Sequence, residues 1–418
     1  MTDKFFPINT KTACKLKWAW STIRLYTGET SSCHRVNSSV VDVDSNTFDF
    51  HNTPKQLSDR QLMLEGKWPA GGCEYCKNIE DAGGTSDRML HLTIPNQVPV
   101  ELDTNTNVVR VSPTIIEVYL DNVCNMSCLY CWDGFSSKIQ QENIQFGDFS
   151  DRGVEIKNQA VTPLDHVKLK NKFWEWLDSN CSTLERLNIL GGEPFYQKDF
   201  AVCMEFLNSR ANPNLEFNVI SNLNIKHDKF KKIILEIKKL VDTNKIKRFD
   251  LTASIDCFGK EQEYVRYGLD LELWKKNFEF LVNEKWIVLN VNQTITGLTI
   301  KTMLPLIHYV NLHRNTRNIG HYFGTVVHTH KCLEPGIFGK DFFKQDFDNI
   351  LTAMQIDTEW NRKYKSYMSG IYLQLNSVNR DQEKINQLEI FLNEIDRRRG
   401  LDWKQTFPWL VKEIQNVV

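Results

Sequence analysis

An α/β fold with a parallel sheet is the expectation from this 418-residue sequence, and three features predict it. From about Pro113, apolar runs of strand length alternate with longer helix-period segments. The alternation repeats six times, which argues for βα units in either an open doubly wound sheet or a partial barrel. With 41% hydrophobic and 25% charged residues, the chain has ordinary globular usage and enough length to bury a sizeable core.

The elements follow in order. Residues 1–105 read as loop-rich, with strand-like stretches at 18–26 and 40–50 broken by Gly, Ser and Asn. Strands are then expected at 114–120, 184–190, 215–221, 249–255, 286–296 and 321–328. Helices are expected between them at 163–178, 198–209, 228–241, 271–284 and 301–313. The crossover 134–162 is long and polar, as in a functional lid or mobile loop. After about residue 336 the pattern is helical. In 382–399, Leu388, Ile390, Phe391, Leu392 and Ile395 are expected to form one broad apolar side.

Lys plus Arg is 51 and Asp plus Glu is 52, a net charge of −1. A protein that blankets phosphate backbones is more basic, so nucleic acid is not an expected partner. No run approaches the ~20 apolar residues of a membrane span. The first residues carry no apolar targeting core, and the chain reads as unprocessed and cytoplasmic. In that compartment disulfides are disfavoured, so clustered members of the 11 Cys are expected to bind metal or do chemistry.

Strand 114–120 runs into Cys124-x3-Cys128-x2-Cys131. Thiolates ligate iron–sulfur clusters, and a cubane usually takes four. Three on one loop leave one iron open to a small molecule. Structural zinc, the alternative, needs four ligands, and a fourth local one is missing. The next strand ends in Gly191-Gly192-Glu193-Pro194, where glycines permit close backbone approach and Glu193 can accept from an ammonium group. The third strand ends in Ser221-Asn222. The fourth ends in Ser254-Ile-Asp256, with Arg266 shortly after. Each alone reads as a turn or helix cap; their order on successive strands is the signal.

Upstream, Cys14, Cys33, Cys73 and Cys76 would fill one closed metal site, zinc or iron–sulfur. Glu80, Ser86 and Arg88 either brace it or are turn and cap residues. Cys181 and Cys203 read as structural, and Cys257 and Cys332 as buried or idle thiols. His328-x-His330-x-Cys332 reads as a strand end, and the Lys-rich stretch 226–248 as a solvated helix.

The triad and the strand-end motifs resemble the radical S-adenosylmethionine (SAM) superfamily over about residues 110–330. The resemblance implies a partial (β/α)6 barrel at 106–335 and a helical C-terminal extension at 336–418. It implies a 4Fe-4S cluster on Cys124, Cys128 and Cys131 that binds SAM through its open iron. Tyr130 would lie beside the adenine, with Gly191, Gly192, Glu193, Pro194, Ser221, Asn222, Ser254, Asp256 and Arg266 holding SAM. One electron, from a reductant such as flavodoxin or ferredoxin, would cleave SAM to methionine and a 5′-deoxyadenosyl radical that abstracts substrate hydrogen.

The pattern Cys14-x13-Gly28-x4-Cys33, then Cys73-x2-Cys76, resembles the twitch form of SPASM domains. It implies an auxiliary 4Fe-4S cluster in a domain at 1–105, although in familiar members that domain follows the barrel. Some peptide-modifying relatives use a lone Cys as hydrogen-atom donor, a role open to Cys257 or Cys332. A peptide or protein side chain is the expected substrate. The alternatives are a small molecule such as a nucleotide or sugar, or a non-catalytic iron–sulfur or zinc scaffold.

Overall fold

The computed structural model describes residues 10–45, 48–81, 83, 86–89, 109–147, 163–324, 330–354 and 358–415. It is a mixed α/β protein with mostly parallel pairing. Eleven strands are described: β1 (Trp20–Arg24), β2 (Glu29–Ser31), β3 (Ser39–Val40), β4 (Ile115–Tyr119), β5 (Ser127–Cys128), β6 (Arg186–Leu190), β7 (Asn212–Ser221), β8 (Ile246–Ser254), β9 (Arg266–Tyr267), β10 (Val288–Thr294) and β11 (Gly320–Gly324). The chain divides into two compact units. One comprises Met1–Asn122, Gln159–Val219 and Ile237–Phe249; the other comprises Val123–Asn158, Ile220–Glu236 and Asp250–Val418.

In the first unit the strands run in the order β7-β6-β4-β1-β2-β3. β4, β6 and β7 are parallel neighbours, with Ile116 opposite Leu187 and Leu187 opposite Phe217. β1 joins them in parallel, Thr22 opposite Glu117, so the N-terminal segment extends this sheet. β2 and β3 add antiparallel at its edge. Near-continuous burial of Ile115, Ile116, Val118, Leu187 and Ile189 is what a sheet covered on both faces requires. The helices Pro163–Asn180 and Lys198–Ser209 follow β4 and β6 as crossovers.

In the second unit β8, β10 and β11 form parallel pairs, with Leu251 opposite Leu289 and Val291 opposite His321. Its core joins Ile295, Met303 and Ile307 to Phe391, Leu392 and Ile395 of the terminal helices. The helix Gln382–Arg399 starts on Asp381, whose carboxylate accepts from Lys384 N. It stops at Gly400, which takes the left-handed conformation that ends helices.

Three expectations change. Among the described residues of 40–50 only Val40, the end of the two-residue β3, is in a strand; the Asp42 carboxylate accepts from Asp44 N and turns the chain. The crossover 134–162 begins with a helix, Ser137–Phe146, capped by Ser136 through Ile139 N; residues 148–162 lie outside those described. Ile390 is 52% exposed, since a two-residue step from Leu388 turns it about 200° to the far face.

Candidate functional site

The Cys124–Cys131 loop is held from both ends. Cys124 N donates to the Ser137 hydroxyl (3.2 Å), and the Ser136 hydroxyl donates to Met126 O (2.7 Å). In mid-loop, β5 pairs antiparallel with β9, which sets Cys128 opposite Arg266. Leu129 N then donates to Val265 O (2.9 Å). Asn125 donates to Asn224 O and accepts from the Asn222 amide (2.8 and 2.9 Å).

Asp256, just past β8, is fully buried. Arg266 grips both carboxylate oxygens, Nε at 2.8 Å and Nη2 at 2.9 Å. The Tyr130 hydroxyl donates to Oδ2 (2.7 Å) and Thr294 N to Oδ1 (2.9 Å). Gln262 accepts from the backbone amides of Asp256 and Cys257, fixing the strand end. Four donors, two of them from the bidentate Arg266 cation, satisfy a carboxylate that could not otherwise stay charged in the interior. The Arg266 guanidinium also lies over the Tyr130 ring, 5.6 Å from its centroid. This network joins Tyr130, Asp256 and Arg266, three of the residues the sequence singled out, to the cysteine loop.

Cys128 and Cys131 line a small pocket with His330, Phe391 and Arg399; Cys124 is not part of that lining. Burial pushes the Cys131 thiol up to about 12 and raises that of Cys128, against which the nearby Arg266 and Arg399 cations pull down. Burial pushes the His330 imidazole down to about 4, so it faces the cavity neutral. Neither His330 nor Arg399 was singled out as a site residue by the sequence. His330 read as a strand end, and Arg399 as the last residue of an amphipathic helix.

Ser221 and Asn222 make local turns: the Ser221 hydroxyl accepts from Leu223 N, and Asn222 Oδ1 accepts from Asn224 N. Ser254 is buried, and its carbonyl accepts from the Trp274 indole (3.2 Å).

In the first unit, Gly191 and Gly192 have φ of +84° and +54°. A Cβ on Gly191 would lie 2.8 Å from the Tyr119 ring, so the close approach requires glycine. Glu193 is fully buried and caps the short helix Pro194–Tyr196 through Phe195 N.

Three of the upstream thiols share one small apolar cluster, in which Cys33 packs against a core that holds Cys14, Cys73, Trp18 and Met63. Burial pushes Cys14 up to about 12 and Cys73 to about 11, and neighbouring thiols add to the rise in both. Gly28 makes the β1–β2 turn at φ +70°. Gly72, at φ +123°, packs so tightly that a Cβ would fall 2.0 Å from Arg35 O. The loops that carry Cys33 and Cys73 are thereby pressed together, and Asn37 N donates to Gly71 O. Cys76 lies in the helix Glu74–Asp81 that follows. Arg88 pairs with Glu80, which also accepts from Ser86, and donates to Ala13 O beside Cys14 (2.8 Å). The Ser86 hydroxyl also accepts from Met89 N (3.2 Å), so Ser86 caps a turn while Arg88 ties it to Ala13.

Among the described residues, no three or more His, Cys, Asp or Glu side chains are grouped so as to hold a metal ion. Cys181, Cys203, Cys257 and Cys332 are all buried as core thiols, while His328 lies outside the described residues. No described helix is long and apolar enough to cross a membrane.

No family model and no curated protein matches the chain. Among solved structures, it is similar to the crystal structure of Streptococcus suis SuiB bound to precursor peptide SuiA. That match has 12% identity and a TM-score of 0.32, and it covers 60% of this chain and 52% of that one. The chain therefore spans about half the length of that structure.

Proposed function

We propose that this chain is a radical SAM enzyme that modifies a peptide or protein side chain. The observation that carries the proposal is the Tyr130–Asp256–Arg266 network. It ties a loop bearing three thiols to the end of the parallel strand β8, where βα folds place their active sites. Successive parallel neighbours β4-β6-β7 and β8-β10-β11 support a βα array of the barrel kind.

The donor set fits an iron–sulfur cluster. Three soft thiols share one loop, two of them at a cavity wall that also bears a buried cation. Cys124, Cys128 and Cys131 would hold a 4Fe-4S cluster, and Cys14, Cys33, Cys73 and Cys76 an auxiliary one. With SAM bound, the first cluster supplies one-electron reductive cleavage of SAM.

The chain's own contribution is binding and exclusion. Arg266 and Asp256 neutralise each other in the interior, and Tyr130 holds its ring against the guanidinium. Phe391 and Ile395 form part of the apolar wall of the pocket.

The test is iron, sulfide and zinc per chain after anaerobic reconstitution, with 5′-deoxyadenosine released on reduction with SAM. About eight irons with matching sulfide are expected for two cubanes. Cys128→Ala should lose about half the iron and abolish 5′-deoxyadenosine; Cys73→Ala should lose the other half and still cleave SAM. Four irons with one zinc would make the upstream site structural zinc. Iron near zero would sink the reading.

A further inference from the structure

The helix Gln382–Arg399 ends in three consecutive arginines, a favourable charge for a helix C-terminus. All three engage the helix Ser137–Phe146 that follows the cysteine loop, or the residue after it. Arg397 and Arg398 share Glu394, and both lie over the Phe146 ring (5.2 and 5.7 Å). Arg398 also donates to Gly147 O. Arg399 donates from Nε and Nη2 to Glu142 (3.1 and 2.8 Å).

Arg398 and Arg399 are both buried, with side chains 1% and 3% exposed, and of the three arginines it is Arg399 that lines the pocket with Cys128 and Cys131. Glu142 occupies Nε and Nη2. Among the described residues, buried Nη1 has no hydrogen-bond partner. A buried guanidinium N–H without an acceptor carries its full desolvation penalty. It therefore marks a place where an acceptor belongs. Two thiols and a neutral His330 form the rest of the polar wall.

We infer that Arg399 contacts the cluster held by the Cys124–Cys131 loop, its Nη1 donating to cluster or cysteine sulfur, and that this contact raises the cluster's reduction potential. The inference rests on the radical SAM reading above. A cluster on three thiolates is anionic and gains one more negative charge on reduction. A fixed cation and an N–H···S bond stabilise the reduced form most. Glu142 holds the guanidinium in place and opposes it with its own charge.

The experiment is an EPR-monitored redox titration of the reconstituted full chain, following the signal that changes when SAM is added. Arg399→Gln should lower the equilibrium constant for reduction about tenfold, or about 59 mV for a one-electron couple. Glu142→Gln removes a negative charge while leaving Arg399 present, and should shift the potential upward. The opposite signs separate an electrostatic contact from a mere latch, whose loss would move both variants the same way.

An Arg399→Gln potential within twofold of wild type overturns the inference, as does a downward shift in Glu142→Gln. Should Arg399→Gln fail to fold, the sign of the Glu142→Gln shift decides alone. Wild type that takes up no iron fails the radical SAM reading itself. Wild type with an intact SAM-responsive signal and an indifferent Arg399 fails only the inference.

Discussion

The two cysteine constellations are built on opposite principles. Cys14, Cys33 and Cys73 come from three places in the N-terminal segment into an apolar cluster with Trp18 and Met63, and Cys76 lies in the helix that follows Cys73. Their loops are pressed together by backbone contacts and braced by Arg88. Cys124, Cys128 and Cys131 instead share one short loop beside a cavity, with buried charges on Asp256, Arg266 and Arg399 close by. Closed packing suits a site whose ligands are all protein. The second constellation instead places two of its thiols and a buried cation on one pocket wall.

The largest effect is expected where charge is buried. Asp256→Ala leaves Arg266 unpaired in the interior and should cost about 3–5 kcal/mol. A urea titration that finds less than about 1 kcal/mol would mean the pair is not the anchor of the loop. Next comes close packing. Gly72→Ala forces a Cβ into the Arg35 carbonyl at a positive φ, so the Cys33 loop must shift. It should remove the upstream metal and leave SAM cleavage intact. Loss of both would show that the two sites are not separable as described.

The smallest effect lies away from both. Burial and the nearby Glu216 carboxylate push Glu185 from 4.5 up to about 7. A raised carboxyl contributes stability that is fully present below about 4.5 and is lost as pH rises through about 7. Glu185→Gln should therefore gain stability relative to wild type at pH 8 and not at pH 4. Solvent screening keeps the gain below about 1 kcal/mol. Equal Tm differences at both pH values would refute the assignment.

Much of the architecture was legible because periodicity is local. The helix Lys198–Ser209 matches its expected span, and Leu271–Asn283 differs from its own by one residue. The strand expected at 249–255 is longer at its start, as β8, because Ile246 is buried too. The cysteine loop and the residues at the strand ends were equally visible, since each motif is contiguous. What pattern alone missed was mostly non-contiguous or capped: the short helix after Ser136, the exposure of Ile390, and the brace from Arg88 to Ala13.

The sequence by itself determined which residues could ligate metal, the order of strands and helices, and the near-neutral charge. Those properties depend on residue type and on spacing of a few residues. Only the tertiary structure decided that β1 extends the sheet beside β4, that Arg266 takes Asp256 as its partner, and that Arg399 reaches the cysteine cavity. Arg399 lies 268 positions from Cys131 (399 minus 131). No local spacing encodes a contact that long; it exists because the terminal helix buries Phe391 and Ile395 in the core and carries its last turn to the cavity wall.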